Sequence, residues 1–445
     1  MSKVVHRKKR LSSFKLIVLG FAAVIFVGAL LLMLPVSSVS GTQTPFHEAL
    51  FTSVSAVCVT GLVVQDTGSY WSSFGQTVIL LLIQTGGLGV ITVAVSFAIL
   101  SGRKISLMQR STMQESISAP QVGGIVKLTG FILKTSLIIE MIGAALLAPV
   151  FCNDLGIAKG LWYSLFHSIS AFCNAGFDLF GIKEPFSSLT FYHSNIYLNI
   201  IIMLLIITGG IGFLVWGDIG THKHRIRRYS LQSKVVLMTS AFLIVLPALY
   251  FFFFEYDHGT IHDRTIHSLF QSVTTRTAGF NTTDLAAMDE SGTAIMVILM
   301  LIGGSPGSTA GGMKTATFAV LFLSAITVLR RRNDVQCFKR RISDETVRSA
   351  GAVLFMYLVL FFTSGVIISR VEDLPLLTCL FETSSAIGTV GLTLGITSGL
   401  SAVSRVILMI LMCFGRVGGL TLIYAALPSA DSQNSRLPLE KISVG

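Results

Sequence analysis

Gly388-Thr389-Val390-Gly391-Leu392 is the stretch on which the fold turns. The segment before it, 374–386, is too short to cross a bilayer, and the apolar run after it, 406–426, is long enough. The same arrangement occurs at Cys58-Val59-Thr60-Gly61-Leu62, Cys173-Asn174-Ala175-Gly176-Phe177 and Arg276-Thr277-Ala278-Gly279-Phe280. The lead-ins match as well. They read Phe51-Thr52-Ser53-Val54-Ser55-Ala56, Phe166-His167-Ser168-Ile169-Ser170-Ala171, Phe270-Gln271-Ser272-Val273-Thr274 and Phe381-Glu382-Thr383-Ser384-Ser385-Ala386, the third being one residue shorter between Phe and Gly. Four copies of a Gly loop can close a ring around one axis, and backbone carbonyls in such a ring can replace the hydration shell of a cation.

Composition bounds the class. Of 445 residues, 52% are hydrophobic and 12% charged, and the mean hydropathy is +0.75, which reads as an integral membrane protein. The net charge of +11 does not indicate nucleic acid, because the Lys and Arg residues sit in short clusters between apolar runs. The six cysteines lack paired spacing and read as small buried residues, neither disulfides nor zinc ligands. The basic start (Lys3, Arg7, Lys8, Lys9, Arg10, Lys15) leads into 16–34, which lacks a convincing cleavage site and is long enough to remain as a span.

Eight full spans are expected, at 16–34, 76–100, 129–151, 196–216, 235–254, 295–321, 350–368 and 406–426. A Gly loop with its lead-in lies inside each successive pair. The other connections carry the positive charge: Arg103, Lys104 and Arg110; Lys223, Arg225, Arg227 and Arg228; Arg330, Arg331, Arg332, Lys339, Arg340 and Arg341. The positive-inside rule assigns these connections and both termini to the cytoplasm. Asp66, Asp154, Asp257, Asp263, Asp284, Glu372 and Asp373 collect on the outer side.

The second span of each pair carries a further repeat: Gly86-Gly87, Gly209-Gly210, Gly303-Gly304 and Gly418-Gly419. The expected fold is all-α, with four tandem span–pore-helix–span units in pseudo-fourfold symmetry around a central pore. The units divide at 1–118, 119–228, 229–341 and 342–428, with a tail at 429–445.

A lead-in of about a dozen residues that dips in as a half-helix directs the negative end of its dipole at the membrane centre, which favours a cation there. The chain must then return as non-helical backbone, which membranes tolerate only where it is buried or lines a cavity. Gly61, Gly176, Gly279 and Gly391 suit that return, since Gly adopts positive φ at little cost. The plain alternative, four tight turns in exposed loops, suits one Gly better than four aligned copies.

Gly303-Gly304-Ser305-Pro306-Gly307-Ser308-Thr309-Ala310-Gly311-Gly312 interrupts the sixth span. Gly costs about 1 kcal/mol and Pro about 3 kcal/mol against Ala in a helix interior, so an ordinary helix cannot persist. The stretch reads as an intramembrane gate or, more plainly, a kink. Its likeness to a P-loop fails, because Met313 separates Gly312 from Lys314 and no strand precedes it. Arg416 lies within the eighth span, where Arg costs roughly 2.5–3.5 kcal/mol to insert. It must face water or a partner, as a fixed charge under the filter or as half of a buried carboxylate pair. Glu140 in span three is the other intramembrane charge, and the sequence names no partner for it.

These units and loops resemble the Trk/Ktr/HKT superfamily of potassium transporters, over nearly the whole chain from about 16 to 426, and look most like the membrane subunits of bacterial Ktr systems. In that family the filter carbonyls select K⁺. The resemblance places them at Val59, Thr60 and Gly61; Asn174, Ala175 and Gly176; Thr277, Ala278 and Gly279; and Thr389, Val390 and Gly391. Only the fourth unit keeps the Thr-Val-Gly of potassium channels. Members with Ser in place of the first Gly tend to favour Na⁺, and Gly61 therefore implies K⁺. The resemblance further implies gating by 303–312 with Arg416, a homodimer in the bacterial cell membrane, and a cytoplasmic ring of nucleotide-binding RCK domains as regulatory partner. It implies no covalent cofactor and leaves room for Na⁺ dependence.

Two rivals remain. One is a Na⁺-selective or ion-coupled transporter of the same architecture. The other is a membrane acyltransferase using His258 and Asp263, which match an H-x4-D pattern by count. His222 and His224 read as solvated loop residues.

Overall fold

The computed structural model describes residues 13–100, 105–117 and 123–426. The basic residues 3–10, Arg103, Lys104 and the tail 429–445 lie outside the described residues.

Each unit begins with a long helix. These are Ser13–Leu32, Ile125–Leu155, Leu231–Glu255 and Asp344–Glu372, and each is long and apolar enough to cross a membrane. Their outward faces carry exposed apolar side chains such as Phe26, Leu137, Met141, Phe253, Phe355 and Phe362. A water-facing surface would not tolerate so many, whereas a lipid-facing one requires them. The third of these helices ends in a π turn, Phe251–Glu255, just after Pro247, whose ring and missing N–H disturb the α-helical ladder.

A short helix follows in each unit: Phe46–Cys58, Ile157–Phe172, Ile261–Thr274 and Leu376–Gly388. Their C-terminal halves are largely buried. A recurring contact docks them. The hydroxyls of Ser53, Ser168 and Ser272 donate to the carbonyls of Ile25, Glu140 and Ile244 on the preceding long helix, at 2.7, 2.6 and 2.7 Å. Gly28 and Gly143 make room, because a Cβ on either would collide with Ser53 or Ser168.

The second span is not one helix in any unit. Ser73–Leu88 and Val90–Leu100 part at Gly89, Ile196–Gly210 and Phe213–His222 at Gly212, and Ala402–Val417 and Gly419–Ala426 at Gly418. These glycines have φ of +90°, +95° and +89°, where a residue with a Cβ is strained. The second of these breaks bends the chain by 95°. In the third unit Glu290–Leu301 and Thr315–Leu329 are separated by the Gly-rich loop. Unbroken second spans in units one, two and four are therefore corrected. So is the register of the second repeat. Gly86, Gly209 and Gly415 are equivalent, since a Cβ on each would strike the carbonyl of Val57, Phe172 or Ile387 at the end of the neighbouring short helix. Gly418 thus matches Gly89 and Gly212, and Arg416 stands where the first two units have Gly87 and Gly210.

The connections between units carry the basic residues. Lys223–Arg228 is an exposed turn, and Arg340 and Arg341 lie on a small hairpin, Gln336–Cys337 with Arg340–Arg341.

Candidate functional site

The four short helices end on four loops that close a ring. A Cβ placed on Gly61 would meet the carbonyl of Ala175, and one on Gly176 that of Ala278. One on Gly279 would meet the carbonyl of Val390, and one on Gly391 that of Thr60. The order runs through units one, two, three and four and back to one, so the loops surround a single axis. All twelve residues expected at the filter are brought together, and all are buried.

The backbone of each loop alternates in hand. Val59, Asn174, Thr277 and Thr389 have φ of +57°, +58°, +67° and +52°. Gly61, Gly176, Gly279 and Gly391 have φ of +92°, +69°, +81° and +95°. The residue between each pair is not left-handed. Such alternation turns successive peptide groups to the same side, which lets successive carbonyls of one loop face one axis.

Non-Gly residues in the left-handed region need support, and the helix ends supply it. Thr60, Ala175 and Val390 each donate from N to the carbonyls of Ser55, Ser170 and Ser385, all at 2.8 Å, in the six-to-one closure of a Schellman cap. The third loop lacks one residue, and there Ala278 N reaches Thr274 O at 3.0 Å, one position nearer. The hydroxyls of Ser55 and Ser385 accept from Gly61 N and Gly391 N at 3.1 and 3.0 Å. Those of Ser170 and Thr274 donate to Phe177 O and Phe280 O at 2.7 and 2.5 Å.

Beneath the ring lies the 303–312 loop. It is tied at many points. Gly303 N donates to Met313 O at 2.8 Å and Gly304 N to Gly311 O at 3.2 Å. Ser305 N and Thr309 N reach Gly210 O and Gly209 O at 3.0 and 3.2 Å, and Gly312 N reaches Gly415 O at 3.1 Å. The loop thus occupies the groove left by the broken helices of units two and four. Its hydroxyls are spent on structure: Ser305 on Thr315 at 3.1 Å, Ser308 on Ser305 O at 2.7 Å, Thr309 on Phe172 O at 2.9 Å. These hydroxyls are therefore engaged within the protein and not turned to the axis as ligands.

Arg416 crosses between units. Its guanidinium donates to Thr309 O of the loop and to Gly86 O and Gly87 O of unit one, the last at 2.9 Å. No carboxylate pairs with it among the described residues. The buried ion pair is therefore excluded in favour of a cation held by carbonyls. A cavity of about 310 Å³ opens on the same level, lined by Gly87, Ser308, Ala310, Lys314, Tyr357 and Arg416, among others. Lys314 Nζ donates to Ala310 O at 2.8 Å, placing a second basic side chain against the loop.

A model of the TrkH family, described as cation transport protein, matches residues 12–435. This chain belongs to the TrkH family of cation transport proteins. Among its relatives is the potassium/sodium uptake protein NtpJ of Enterococcus hirae, 39% identical over 98% of both chains. The Ktr system potassium uptake protein B of Bacillus subtilis is 38% identical over 97% of this chain and 96% of its own length. The crystal structure of the potassium transporter TrkH from Vibrio parahaemolyticus superposes with a TM-score of 0.75 at 18% identity, covering 96% of this chain and 87% of that one, which shows the shared fold. A TrkH-family chain with these apolar helices is a multi-pass membrane protein.

Glu140 finds its partner in Gln84, whose amide reaches both carboxylate oxygens at 2.9 and 3.1 Å. Neither residue has a sequence signal pointing to the other. His258 pairs with Asp257 at 3.3 Å, while Asp263 is held by Thr260 at 2.6 Å, so the acyltransferase pair is not assembled. Asp66 is 7% exposed and engaged with Ser69 and Phe186, not open to arriving cations. Sequence reasoning also passed over Lys314 as a lining group and over the polar residue that follows each lead-in Phe.

Proposed function

We propose that this transporter takes up K⁺, selecting it with the carbonyls of Val59, Thr60 and Gly61, Asn174, Ala175 and Gly176, Thr277, Ala278 and Gly279, and Thr389, Val390 and Gly391. The observation that carries the reading is the closed cyclic order in which each filter glycine abuts the carbonyl of the next unit. A side chain on any of them would push one quarter of the ring off the axis, and a dehydrated cation needs all four. The short helices direct their negative dipole ends at the same place. An inside-negative potential drives uptake with about 2.3 kcal/mol per charge per 100 mV.

The 303–312 loop, Arg416 and Lys314 form the barrier below the ring. A cytoplasmic nucleotide-binding ring would act on it through the end of Thr315–Leu329 and the basic connections. The chain works as a homodimer in the bacterial cell membrane, with both termini cytoplasmic and four units divided at 118, 228 and 341. The name of the Enterococcus hirae relative includes sodium, and that favours a second reading in which Na⁺ is carried or required. Uptake of radioactive rubidium by proteoliposomes of the purified chain tests both. Competition by K⁺ well before Na⁺ supports the first reading, and equal competition supports the second.

A further inference from the structure

Each pore helix carries one polar residue directly after the lead-in Phe: Thr52, His167, Gln271 and Glu382, all with 0% exposure. Two of the four reach out to the chain just beyond the ring. Glu382 Oε1 accepts from the Thr393 hydroxyl and from Leu394 N, the latter at 3.3 Å, and its Oε2 accepts from the Thr397 hydroxyl at 2.9 Å. The Thr393 and Thr397 hydroxyls also meet each other at 2.9 Å. One carboxylate therefore collects the outer lip that begins two residues after Gly391. In unit two His167 Nε2 accepts from Leu179 N at 3.3 Å, while its Nδ1 lies 2.7 Å from Tyr163 O and carries the proton. Leu179 stands three residues after Gly176. In units one and three the equivalent atoms Thr52 Oγ1 and Gln271 Oε1 have no hydrogen-bond partner.

We propose that Glu382 and His167 are positioning residues of the ring, holding the outer lips of the fourth and second filter loops from behind, and that Glu382 sets the ion preference of the Thr389-Val390-Gly391 loop. The physical ground is that a loop of left-handed residues keeps its carbonyls on the axis only while its neighbours over-determine it. At the inner end of loop four the Schellman cap does this, and at the outer end the bonds to Glu382 do. One side chain that accepts from two hydroxyls and a backbone N–H holds a loop at three points at once, and it stands behind the one loop with the Thr-Val-Gly sequence. The inference rests on the carbonyl-filter reading above.

The test is the K⁺-over-Na⁺ preference of rubidium uptake in proteoliposomes, measured for Glu382→Ala, Glu382→Gln, the double variant Thr393→Val/Thr397→Val, and Gly391→Ala. Glu382→Ala leaves three buried donors unpaired and lowers the preference by roughly tenfold or more. Glu382→Gln retains one acceptor and stays within about threefold of the parent. The double variant removes the partner hydroxyls without touching the pore helix, and it reproduces the loss even where Glu382→Ala is not recovered folded. A merely structural carboxylate would lower yield and the flux of both ions together, leaving their ratio unchanged. An unchanged ratio in the double variant overturns the proposal. If Gly391→Ala still shifts the ratio, the filter stands without the strut; if Gly391→Ala is also silent, the filter reading itself fails.

Discussion

Replacing Arg416 by Ala removes a side chain that links the unit-four inner helix to both the loop and unit one. Its guanidinium donates to Thr309 O, Gly86 O and Gly87 O. The group also repels any cation leaving the ring. For a cation passing within roughly 5 Å, at an effective dielectric of about 20, that repulsion is about 3 kcal/mol. A barrier lower by that amount is a rate gain of about a hundredfold. The loss of three carbonyl contacts to a charged donor also frees the loop to move, in the same direction. Initial rubidium uptake per reconstituted protein should therefore rise by between about tenfold and a hundredfold, with K⁺ preference unchanged because the ring carbonyls are untouched. Arg416→Lys separates charge from tether. It keeps the positive charge but cannot present the planar fork that reaches three carbonyls. Flux that stays low in Arg416→Lys assigns the barrier to charge, and flux that rises as in Arg416→Ala assigns it to the tether. A folded, monodisperse Arg416→Ala protein transporting at the parental rate would refute the reasoning outright.

Further expectations concern ring, loop and orientation. Gly61→Ser forces a side chain toward Ala175 O at φ of +92°, and K⁺ uptake in rising Na⁺ should show weaker discrimination in a protein that still folds. Deleting 307–311 removes the Thr309 ties to Gly209 and Phe172; uptake should quicken with selectivity intact, and parental flux from a stable deletion protein would reduce the stretch to a kink. Cysteines placed at Arg225 or Arg330 should resist an impermeant thiol reagent added to intact cells, while one at Asp284 should react. Labelling at Arg330 from outside would invert the topology.

What could be read along the chain was whatever depends on local length and local backbone. A bilayer sets how many apolar residues a span needs, so short lead-ins beside long runs reveal the repeat. A left-handed turn favours Gly, so Gly61, Gly176, Gly279 and Gly391 stand out without any contact being known. The Gly-Gly of the second spans was visible for the same reason, yet its register was not. Gly415, not Gly418, matches Gly86, because the match is made by a collision with a carbonyl on another helix. Breaks at Gly89 and Gly212 were hidden too, since a single Gly inside an apolar run is compatible with a continuous helix.

Only the tertiary structure decided which loop faces which, and what each charge holds. Arg416 and its acceptor Gly86 are separated by 330 positions, and Glu140 and Gln84 by 56. No periodicity links such pairs, and sequence offered a carboxylate or open water as partners for Arg416 when the answer was carbonyls freed by broken helices. Those carbonyls exist because Gly ends the helices early, and they find a donor because four units meet at one axis. The residue types were dictated locally by what a backbone can adopt in a membrane. Their partners were dictated by closure of the ring, a property of all four units together and of none alone.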